Sequence, residues 1–354
     1  MKPNKDNNAL RFPFPAAPAP GTLTDVAPGV KWLRMPLPFA LDHINLWVLD
    51  DGDGWTLVDT GLNSTTTRDT WTAIFAGPLK HKPVKRVIAT HFHPDHIGLA
   101  GWLTEMHGVP LWATPKEMKT AHDTRDLSME RISTLMTSQY TRAGLEGALA
   151  DAITTRGNSY TKGVAPLPET FTAIDPARVI AAGGLSWDVV VGEGHSPQLA
   201  ALHAAVPGLL ISGDQVLPGI SPNVSVRFVE DIDDNPLQLF LDSLARFRLL
   251  PAETLVLPSH KLPFYGLHER IDQLTAHHHD RLDLVRRACA KGATASDVLT
   301  AMFKRKFDPH QLNFALGETL AHLNYLMATG EIVREQTAAG VDRYTTMSSP
   351  AAAA

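Results

Sequence analysis

Cysteine is nearly absent from this chain: Cys289 is the only one among the 354 residues. An intramolecular disulfide is therefore impossible, which fits a reducing compartment. The chain also lacks an apolar run of about eighteen residues, the length that a membrane helix needs. Its polar start, residues 1–8, is not followed by the apolar core of a secretory signal. We therefore expect a cytoplasmic protein with no membrane partner.

A strong charge of either sign is lacking as well. The 32 Lys and Arg residues against 37 Asp and Glu residues give a formal net charge of -5. This balance gives no electrostatic reason to expect nucleic acid or an anionic membrane. The hydrophobic fraction of 44% is ordinary for a globular protein with a full core. The length suggests one large domain with a smaller one, or two domains, at ~150 residues each.

Histidine, in contrast, is abundant and clustered. Three of the 16 histidines fall within six residues, at His91, His93 and His96, with Asp95 among them. Imidazole and carboxylate are ligands of zinc and its first-row neighbours. The cluster follows the apolar run 87–89, a predicted strand, so alternation points His91 and His93 to one side. The proline after His93 turns the chain, which lets Asp95 and His96 reach a second point. The segment therefore predicts a site for two neighbouring metal ions, with a solvated His-rich loop as the alternative.

Four further short motifs each follow an apolar run that is predicted to be a strand: Val58-Asp59-Thr60-Gly61, Gly194-His195-Ser196, Ser212-Gly213-Asp214 and Pro258-Ser259-His260. In this order, and together with the histidine motif, they resemble the signature of the metallo-β-lactamase fold superfamily. Its members include glyoxalase II, lactonases, RNA-processing nucleases and the zinc β-lactamases. The resemblance covers residues 30–265 of the chain.

The resemblance implies an α/β protein with an αββα metallo-β-lactamase sandwich and a small C-terminal helical, winged-helix-like domain. We predict a flexible N-terminal segment over residues 1–25, a catalytic domain over 26–280, and the C-terminal domain and tail over 281–354. Residues 115–163 within the catalytic domain have a polar, helical pattern without a ligand motif. Because family members carry insertions at this place, we interpret the segment as one that shapes the substrate pocket.

The C-terminal part is predicted to hold three helices, Asp283–Cys289, Ala295–Phe303 and Pro309–Ala328, followed by a hairpin. This pattern resembles the winged-helix-like tail of one superfamily branch, which contains a mitochondrial ribonuclease and many bacterial hydrolases. Residues 281–343 carry nine Lys and Arg against seven Asp and Glu, too small a surplus to follow a phosphate backbone. We therefore favour packing against the catalytic domain or a homodimer over nucleic-acid binding. The upstream run 277–279, three histidines, is expected to be a solvated helical face.

The ligand set that the resemblance implies has seven members. One metal ion takes His91, His93 and His195, the other takes Asp95, His96 and His260, and Asp214 bridges them. Asp59 lies behind the ligands as a supporting residue; its alternative role is to cap the helix that follows. Two zinc ions are expected, with iron or manganese as alternatives, because the ligands alone do not separate these metals.

The resemblance implies a hydrolase that attacks small carbonyl esters, such as thioesters or lactones, with a metal-bridging hydroxide. Asp214 orients the nucleophile and Asp95 moves its proton, so both are the expected catalytic residues. A nuclease or phosphodiesterase is the first alternative, and a non-hydrolytic iron-dependent or regulatory protein is the second. Zinc β-lactamases of the main classes carry Cys or Ser where this chain has Asp214, so we do not expect that activity.

The small-molecule substrate pocket has no motif of its own, and its candidate residues have ordinary alternatives. Four residues of the insertion can line an adaptable pocket or pack in the core: Met118, Met129, Met136 and Tyr140. His43 and Asn45 share a strand face near the Asp59 turn, and Lys261 and Tyr265 follow the last ligand.

Overall fold

The computed structural model describes residues 9–147 and 158–347. The chain divides into two compact units, neither of which is continuous in sequence. The first comprises Met1–Asp126, Ser159–Pro222 and Ser243–Asp272, and the second comprises Leu127–Asn158, Asn223–Asp242 and Gln273–Ala354. Within the described ranges, no helix combines the length and the apolar character needed to cross a membrane.

A seven-stranded sheet in sequence order forms one layer of the first unit: β1 Leu23–Ala27, β2 Val30–Pro36, β3 His43–Asp50, β4 Trp55–Val58, β5 Val84–Ile88, β6 Leu111–Ala113 and β7 Thr172–Ala173. Strands β1 to β4 pair antiparallel and β4 to β7 pair parallel. Parallel neighbours need long crossovers, and the helical segments between β4 and β7 supply them.

A five-stranded sheet forms the second layer, in the order β12-β11-β10-β9-β8. Its strands are β8 Ile180–Ala182, β9 Leu185–Gly192, β10 Leu199–Ala204, β11 Leu209–Gly213 and β12 Leu255–Pro258. Strands β11 and β12 are parallel and the other pairs antiparallel. The described helices are α1 Thr65–Ala76, α2 Pro94–Ile97, α3 Ala100–His107, α4 Pro115–Asp126, α5 Met129–Ala143, α6 Tyr160–Gly163, α7 Pro236–Phe247, α8 Leu267–Cys289, α9 Ala295–Met302 and α10 Pro309–Ala328.

Alternation along β3 builds the core on both faces of the first sheet. Trp47 and Leu49 join the apolar cluster that also holds Trp187 and Leu202 of the second sheet. Their neighbours Leu46 and Val48 join the cluster beneath helices α1 and α3 instead. Successive side chains of a strand point to opposite faces of its sheet, and in β3 both faces are covered by apolar residues. The predicted α/β sandwich is therefore confirmed, with the two sheets packed face to face.

The helical spacing of Leu99, Leu103 and Met106 predicts one helix over residues 97–107. The structure has two helices instead, α2 and α3, with a break at Gly98 and Leu99. The Leu99 N–H donates to Thr60 Oγ1 (3.0 Å), and the Gly98 carbonyl accepts from Ala165 N–H (2.7 Å). A Cβ on Gly98 would lie 2.2 Å from the Pro94 carbonyl oxygen. Tertiary hydrogen bonds and close backbone contact thus replace the helical pattern here.

Part of the predicted flexible N-terminal segment is hydrogen-bonded to the first unit. Residues 1–8 lie outside the described residues. Arg11 exchanges backbone hydrogen bonds with Tyr265 at 3.1 and 2.8 Å, and its guanidinium lies 4.0 Å from the centre of that ring. The Phe14 ring packs edge-on against Trp32 at 5.8 Å. The described part of this segment is therefore held by backbone and aromatic contacts.

The second unit contains α5, α9, α10 and a three-stranded sheet in the order β13-β15-β14, with β13 Ala293–Thr294, β14 Ile332–Gln336 and β15 Asp342–Thr346. Helix α8 begins earlier than the predicted tail helix and contributes to both units. Helix α5 joins the tail residues through an Arg142–Asp342 ion pair of 2.9 Å. The helices and hairpin predicted for the tail are present, whereas the winged-helix comparison and the domain boundaries stay predictions.

The predicted solvated histidine face is wrong for His278, which is buried in the second unit. Its Nδ1 lies 3.2 Å from His322 Nε2, and His322 Nδ1 lies 2.7 Å from the Glu318 carbonyl oxygen. The second contact makes His322 Nδ1 the protonated nitrogen, so His278 Nδ1 is the donor to His322. This pair is a structural hydrogen-bond chain between α8 and α10.

Candidate metal centre

Four strand ends and one short helix bring the predicted ligands together. The segment after β5 carries His91 and His93, and α2 directly follows with Asp95 and His96. The loop after β9 carries His195, and the residues after β11 and β12 are Asp214 and His260. Strands of both sheets therefore deliver ligands to one place.

The ligand atoms form three overlapping groups, each with all atoms within 4.8 Å of one another. The groups are His91, His93 and His195; His91, His96 and Asp214; and Asp95, His96 and His260. His91 and His96 each belong to two groups, so the groups make one continuous centre. The structure thus brings together all seven residues that the sequence predicted as ligands.

Asp214 lies in the middle of the centre. Its Oδ2 is 3.5 Å from His195 Nε2, while its Oδ1 is 3.5 Å from His96 Nε2 and 3.4 Å from His260 Nε2. One carboxylate oxygen therefore faces each side of the centre. A carboxylate placed in this way is suited to bridge two cations.

The residues fit divalent metal ions. His96 Nε2 and Asp214 Oδ1 are buried, and neither makes a hydrogen bond within the described part of the chain. Buried polar atoms without such a partner are costly and call for an explanation. Imidazole nitrogens and carboxylate oxygens that converge in a buried place are the usual donors for zinc, iron or manganese. The donor chemistry therefore supports divalent metal use at this site.

The electrostatics of the centre favour a bound cation. Burial and the neighbouring imidazoles lower the pKa of His91 and His93 well below the usual value, which keeps both rings neutral. Burial also opposes charging His260, yet Asp214 and Asp95 raise its pKa to about 10. Burial opposes ionisation of Asp95, but His96 and His260 lower its pKa to about 2. The carboxylates thus hold a proton on His260 where a metal ion would replace it.

Asp59 supports the ligand His96 from behind. Its Oδ2 lies 2.8 Å from His96 Nδ1, and its Oδ1 accepts from Thr90 N–H at 2.7 Å. The contact fixes the ring so that Nε2 is turned toward the other ligands. Asp59 does not cap α1, because Ser64 accepts from Thr67 N–H at that helix start. Asp59 has a left-handed backbone conformation, with φ of 62°, in the position where its carboxylate contacts His96 and Thr90.

His43 and Asn45 of β3 hold the loop that carries His260. The His43 carbonyl accepts from His260 Nδ1 (2.8 Å), and its ring Nε2 accepts from Lys261 N–H (3.0 Å). Asn45 Nδ2 donates to the carbonyls of Pro258 and Lys261, both at 2.8 Å. These polar atoms are thus engaged within the protein, and a substrate contact for either residue stays a prediction.

The other predicted pocket residues lie in several environments. Met118 is buried in the core of the first unit. Met136 and Tyr140 are buried in the second unit, where Tyr140 Oη lies 3.2 Å from Asn313, while Met129 is 55% exposed. Lys261 is exposed with a φ of 72°. A shared pocket made from these side chains stays a prediction.

Sequence reasoning missed Glu117 and Tyr160. Glu117 is fully buried, and its carboxylate accepts hydrogen bonds from two of the loops that carry ligands. Tyr160 Oη donates to the Phe92 carbonyl at 2.6 Å. Glu117 occupies the first turn of α4, where acidic residues are common because the positive end of the helix dipole stabilises them. The sequence therefore held no signal that separates this glutamate from a surface one.

Comparison with known proteins agrees with the geometry of the site. Residues 40–260 match the family model for the metallo-beta-lactamase superfamily, and residues 282–347 match the model for the metallo-beta-lactamase-like C-terminal domain. The chain therefore belongs to the metallo-beta-lactamase superfamily. It is accordingly a member of a class of metallo-hydrolases, and its histidine and aspartate clusters are those of a divalent-metal protein.

Particular relatives extend over nearly the whole chain. A beta-lactamase domain protein from Burkholderia ambifaria is 44% identical, with a TM-score of 0.90 over 97% of this chain and 100% of that one. A metallo-beta-lactamase family protein from Thermus thermophilus is 28% identical, with a TM-score of 0.76 over 91% and 100%. The probable metallo-hydrolase YqjP of Bacillus subtilis (strain 168) is 24% identical over 84% of this chain and 91% of its own. The similarity thus includes the C-terminal part.

Proposed function

We propose that this chain is a dinuclear metal-dependent hydrolase of small carbonyl esters, such as thioesters or lactones. The observation that carries the proposal is the position of Asp214, whose two oxygens face His195 on one side and His96 and His260 on the other. This arrangement supports two ions that share one carboxylate. Zinc is the expected metal, because imidazole and carboxylate donors suit it well.

The ligands divide between two positions. His91, His93 and His195 would hold one ion, and Asp95, His96 and His260 would hold the other. When bound, such ions lower the pKa of water and polarise the oxygen of a scissile bond. Asp59 and the His43 carbonyl hold Nδ1 of His96 and His260 respectively, which leaves each Nε2 for the centre. These outer contacts keep the rings oriented during a reaction.

Asp95 is the proposed proton acceptor. Its Oδ2 lies 3.4 Å from His260 Nε2, and its side chain is 21% exposed, more than the ligands His96 and His260. A carboxylate that reaches the mouth of the site can take a proton at Oδ2 from an attacking water and later donate it to the leaving oxygen or sulfur. Asp214, which is more deeply placed, would orient the nucleophile and keep its charge throughout.

The substrate class is supported by charge and by the ligand set. A net charge of -5 does not favour a polyanionic substrate. The carboxylate at Asp214, in place of a cysteine or serine, resembles the glyoxalase II type rather than the zinc β-lactamases. Small carbonyl esters are therefore proposed ahead of RNA, phosphodiesters and β-lactams.

Metal analysis with a substrate panel tests the proposal. We would measure zinc, iron and manganese per chain and assay thioesters, lactones, phosphodiesters, short RNA and a chromogenic cephalosporin. Two metal ions per chain with turnover of a thioester or lactone is the expected result. Cleavage of RNA or of a phosphodiester would show that the substrate class is a phosphoryl compound and not a carbonyl ester. A metal-loaded protein that is inactive on the whole panel would contradict the proposal of a hydrolase.

A further inference from the structure

We propose that Glu117 is a positioning residue for one half of the metal centre, the half formed by His91, His93 and His195. The inference rests on the proposed metal centre and concerns a side chain in α4 that is no ligand itself. Its carboxylate joins the two separate loops on which these three histidines lie.

The contacts of Glu117 fall beside these ligands. Oε2 accepts from the N–H of Phe92, the residue between His91 and His93, at 2.9 Å. Oε1 accepts from Ser196 Oγ at 2.8 Å and from the N–H of Gln198 at 2.6 Å, directly after His195. One buried carboxylate therefore connects the loop after β5 to the loop after β9, two segments about a hundred residues apart in sequence.

A second contact holds the next peptide group, the one between Phe92 and His93. Tyr160 Oη donates to the Phe92 carbonyl at 2.6 Å, and the two rings are stacked with centroids 6.1 Å apart. Phe92 is thus held at its N–H by Glu117 and at its carbonyl by Tyr160. Since His91 and His93 flank it, their spacing depends on this residue.

Chemistry requires a carboxylate at position 117. The N–H groups of Phe92 and Gln198 can only donate, and they bind different oxygens of Glu117. A glutamine has a single oxygen, so its NH₂ group would face one of these N–H groups. The isosteric change therefore opens one loop contact without changing the size of the side chain.

The effect should be confined to one side of the centre. Asp59 performs the corresponding task for His96, through its Oδ2 contact of 2.8 Å. Asp59 also reaches His91, because Thr90 Oγ1 bonds the Asp59 carboxylate and lies 3.1 Å from His91 Nδ1. The contacts of Glu117, in contrast, are with the two loops of the His91, His93 and His195 group. Outer residues of this kind change metal affinity by about 10–100-fold when they are replaced.

Zinc affinity in two backgrounds tests the proposal. H260A leaves His91, His93 and His195 to bind zinc, and H195A leaves the Asp95, His96 and His260 group. We expect E117Q to weaken zinc binding about 10–100-fold in H260A and by less than about threefold in H195A. D59N should weaken zinc binding in H195A, where His96 remains to bind zinc. Dissociation constants would be measured by competition with a chromogenic chelator, so no turnover is needed.

A matched control separates positioning from general stability. Asp342 is buried in the second unit, where it accepts from Arg142 at 2.9 Å. D342N makes the same carboxylate-to-amide change and should lower the melting temperature without altering either zinc affinity. If E117Q does not fold, S196A, which removes one donor from the same carboxylate, should weaken zinc in H260A alone and by a smaller factor.

Several outcomes would overturn the proposal. If E117Q weakens zinc binding equally in both backgrounds, or does not weaken it in H260A, Glu117 is only a packing residue. An H260A protein that binds no zinc would remove the independent histidine site and the proposal with it. If E117Q weakens zinc binding in H260A alone but the protein hydrolyses no ester, the proposed function is contradicted and the role of Glu117 is supported.

Discussion

Single carboxylates decide the chemistry of this site, and three of them have separate tasks. Asp214 lies among the ligands, Asp59 fixes His96, and Glu117 joins two ligand loops. Their sequence signals differ as well. Asp214 and Asp59 stand in recognisable motifs after predicted strands, whereas Glu117 stands in a polar helix turn. The residues of the candidate metal centre were therefore predictable from sequence, and the supporting Glu117 was not.

Replacing Asp214 by alanine should remove the shared carboxylate. We expect D214A to fold, to retain fewer than two metal ions per chain, and to lose at least about 100-fold in hydrolysis, since the nucleophile is no longer held. Elemental analysis and a steady-state assay check this. Full activity with two bound ions in D214A would contradict the bridging assignment.

Asn45 is expected to stabilise the His260 loop through its amide group. Its Nδ2 donates to the carbonyls of Pro258 and Lys261, while its Oδ1 accepts from Trp32 Nε1 at 2.8 Å. N45D keeps the Trp32 bond but turns a second oxygen toward both carbonyls. We expect a loss of about 2–5 kcal/mol in the free energy of unfolding.

Urea unfolding measures this loss, and S64A serves as the control. Ser64 caps α1 outside the ligand loops, and its change should cost about 1 kcal/mol. A smaller loss in N45D than in S64A would show that the Asn45 contacts carry little energy.

At the scale of elements, periodicity predicted the strands well and the helix boundaries less well. The apolar run from Leu199 to Ala204 predicts a strand with these bounds, and β10 has them because the run is buried on both faces. A helix predicted over 97–107 from spacing takes no account of the hydrogen bonds with Thr60 and Ala165, which lie in distant parts of the sequence. Helical spacing alone cannot report such contacts.

The break between α2 and α3 should be sensitive to side-chain size. In G98A, the new Cβ would meet the backbone oxygens of Pro94, Gly61 and Gly163 at 2.2 to 2.7 Å. Backbone atoms cannot move aside cheaply, so we expect about 3 kcal/mol or more of destabilisation. The control G108A has open space but a φ of 64°, and should cost about 1–2 kcal/mol. Thermal unfolding of both variants gives the comparison, and an equal loss would contradict the close contact.

At the scale of the whole molecule, buried ionisable groups in the second unit should make its stability depend on pH. Burial raises the pKa of Glu318 to about 7, although Arg281 and Arg305 oppose this. Burial lowers the pKa of His322 to about 4, although its Glu318 backbone contact opposes this. The two residues lie one helical turn apart on α10.

The sign for Glu318 follows from linkage. The folded state keeps the proton up to about pH 7, while the unfolded chain releases it from about pH 4.5, so the contribution of Glu318 to stability falls as pH rises between these values. The loss is at most about 3 kcal/mol, and partial exposure reduces it. His322 contributes the opposite slope, because its lowered pKa makes stability rise with pH between about 4 and 6.5. E318Q should remove only the falling contribution, so the stability of E318Q should rise with pH more steeply than that of the unchanged chain, as measured by chemical unfolding of the full chain from pH 4.5 to 7.5. E335Q, at an exposed position of β14, is the control, and an unchanged slope in E318Q would contradict the assignment.

The sequence by itself determined the sandwich and predicted the candidate ligands. The candidate ligands His91, His93 and Asp95 follow one another in a short motif, and continuous apolar runs identify the buried strands. Only the tertiary structure decided which residues support the ligands. Glu117 meets Ser196 across 79 residues, and Asn45 meets Lys261 across 216. Such pairs leave no local pattern, because any buried carboxylate or amide needs a partner and the fold alone selects which one is near.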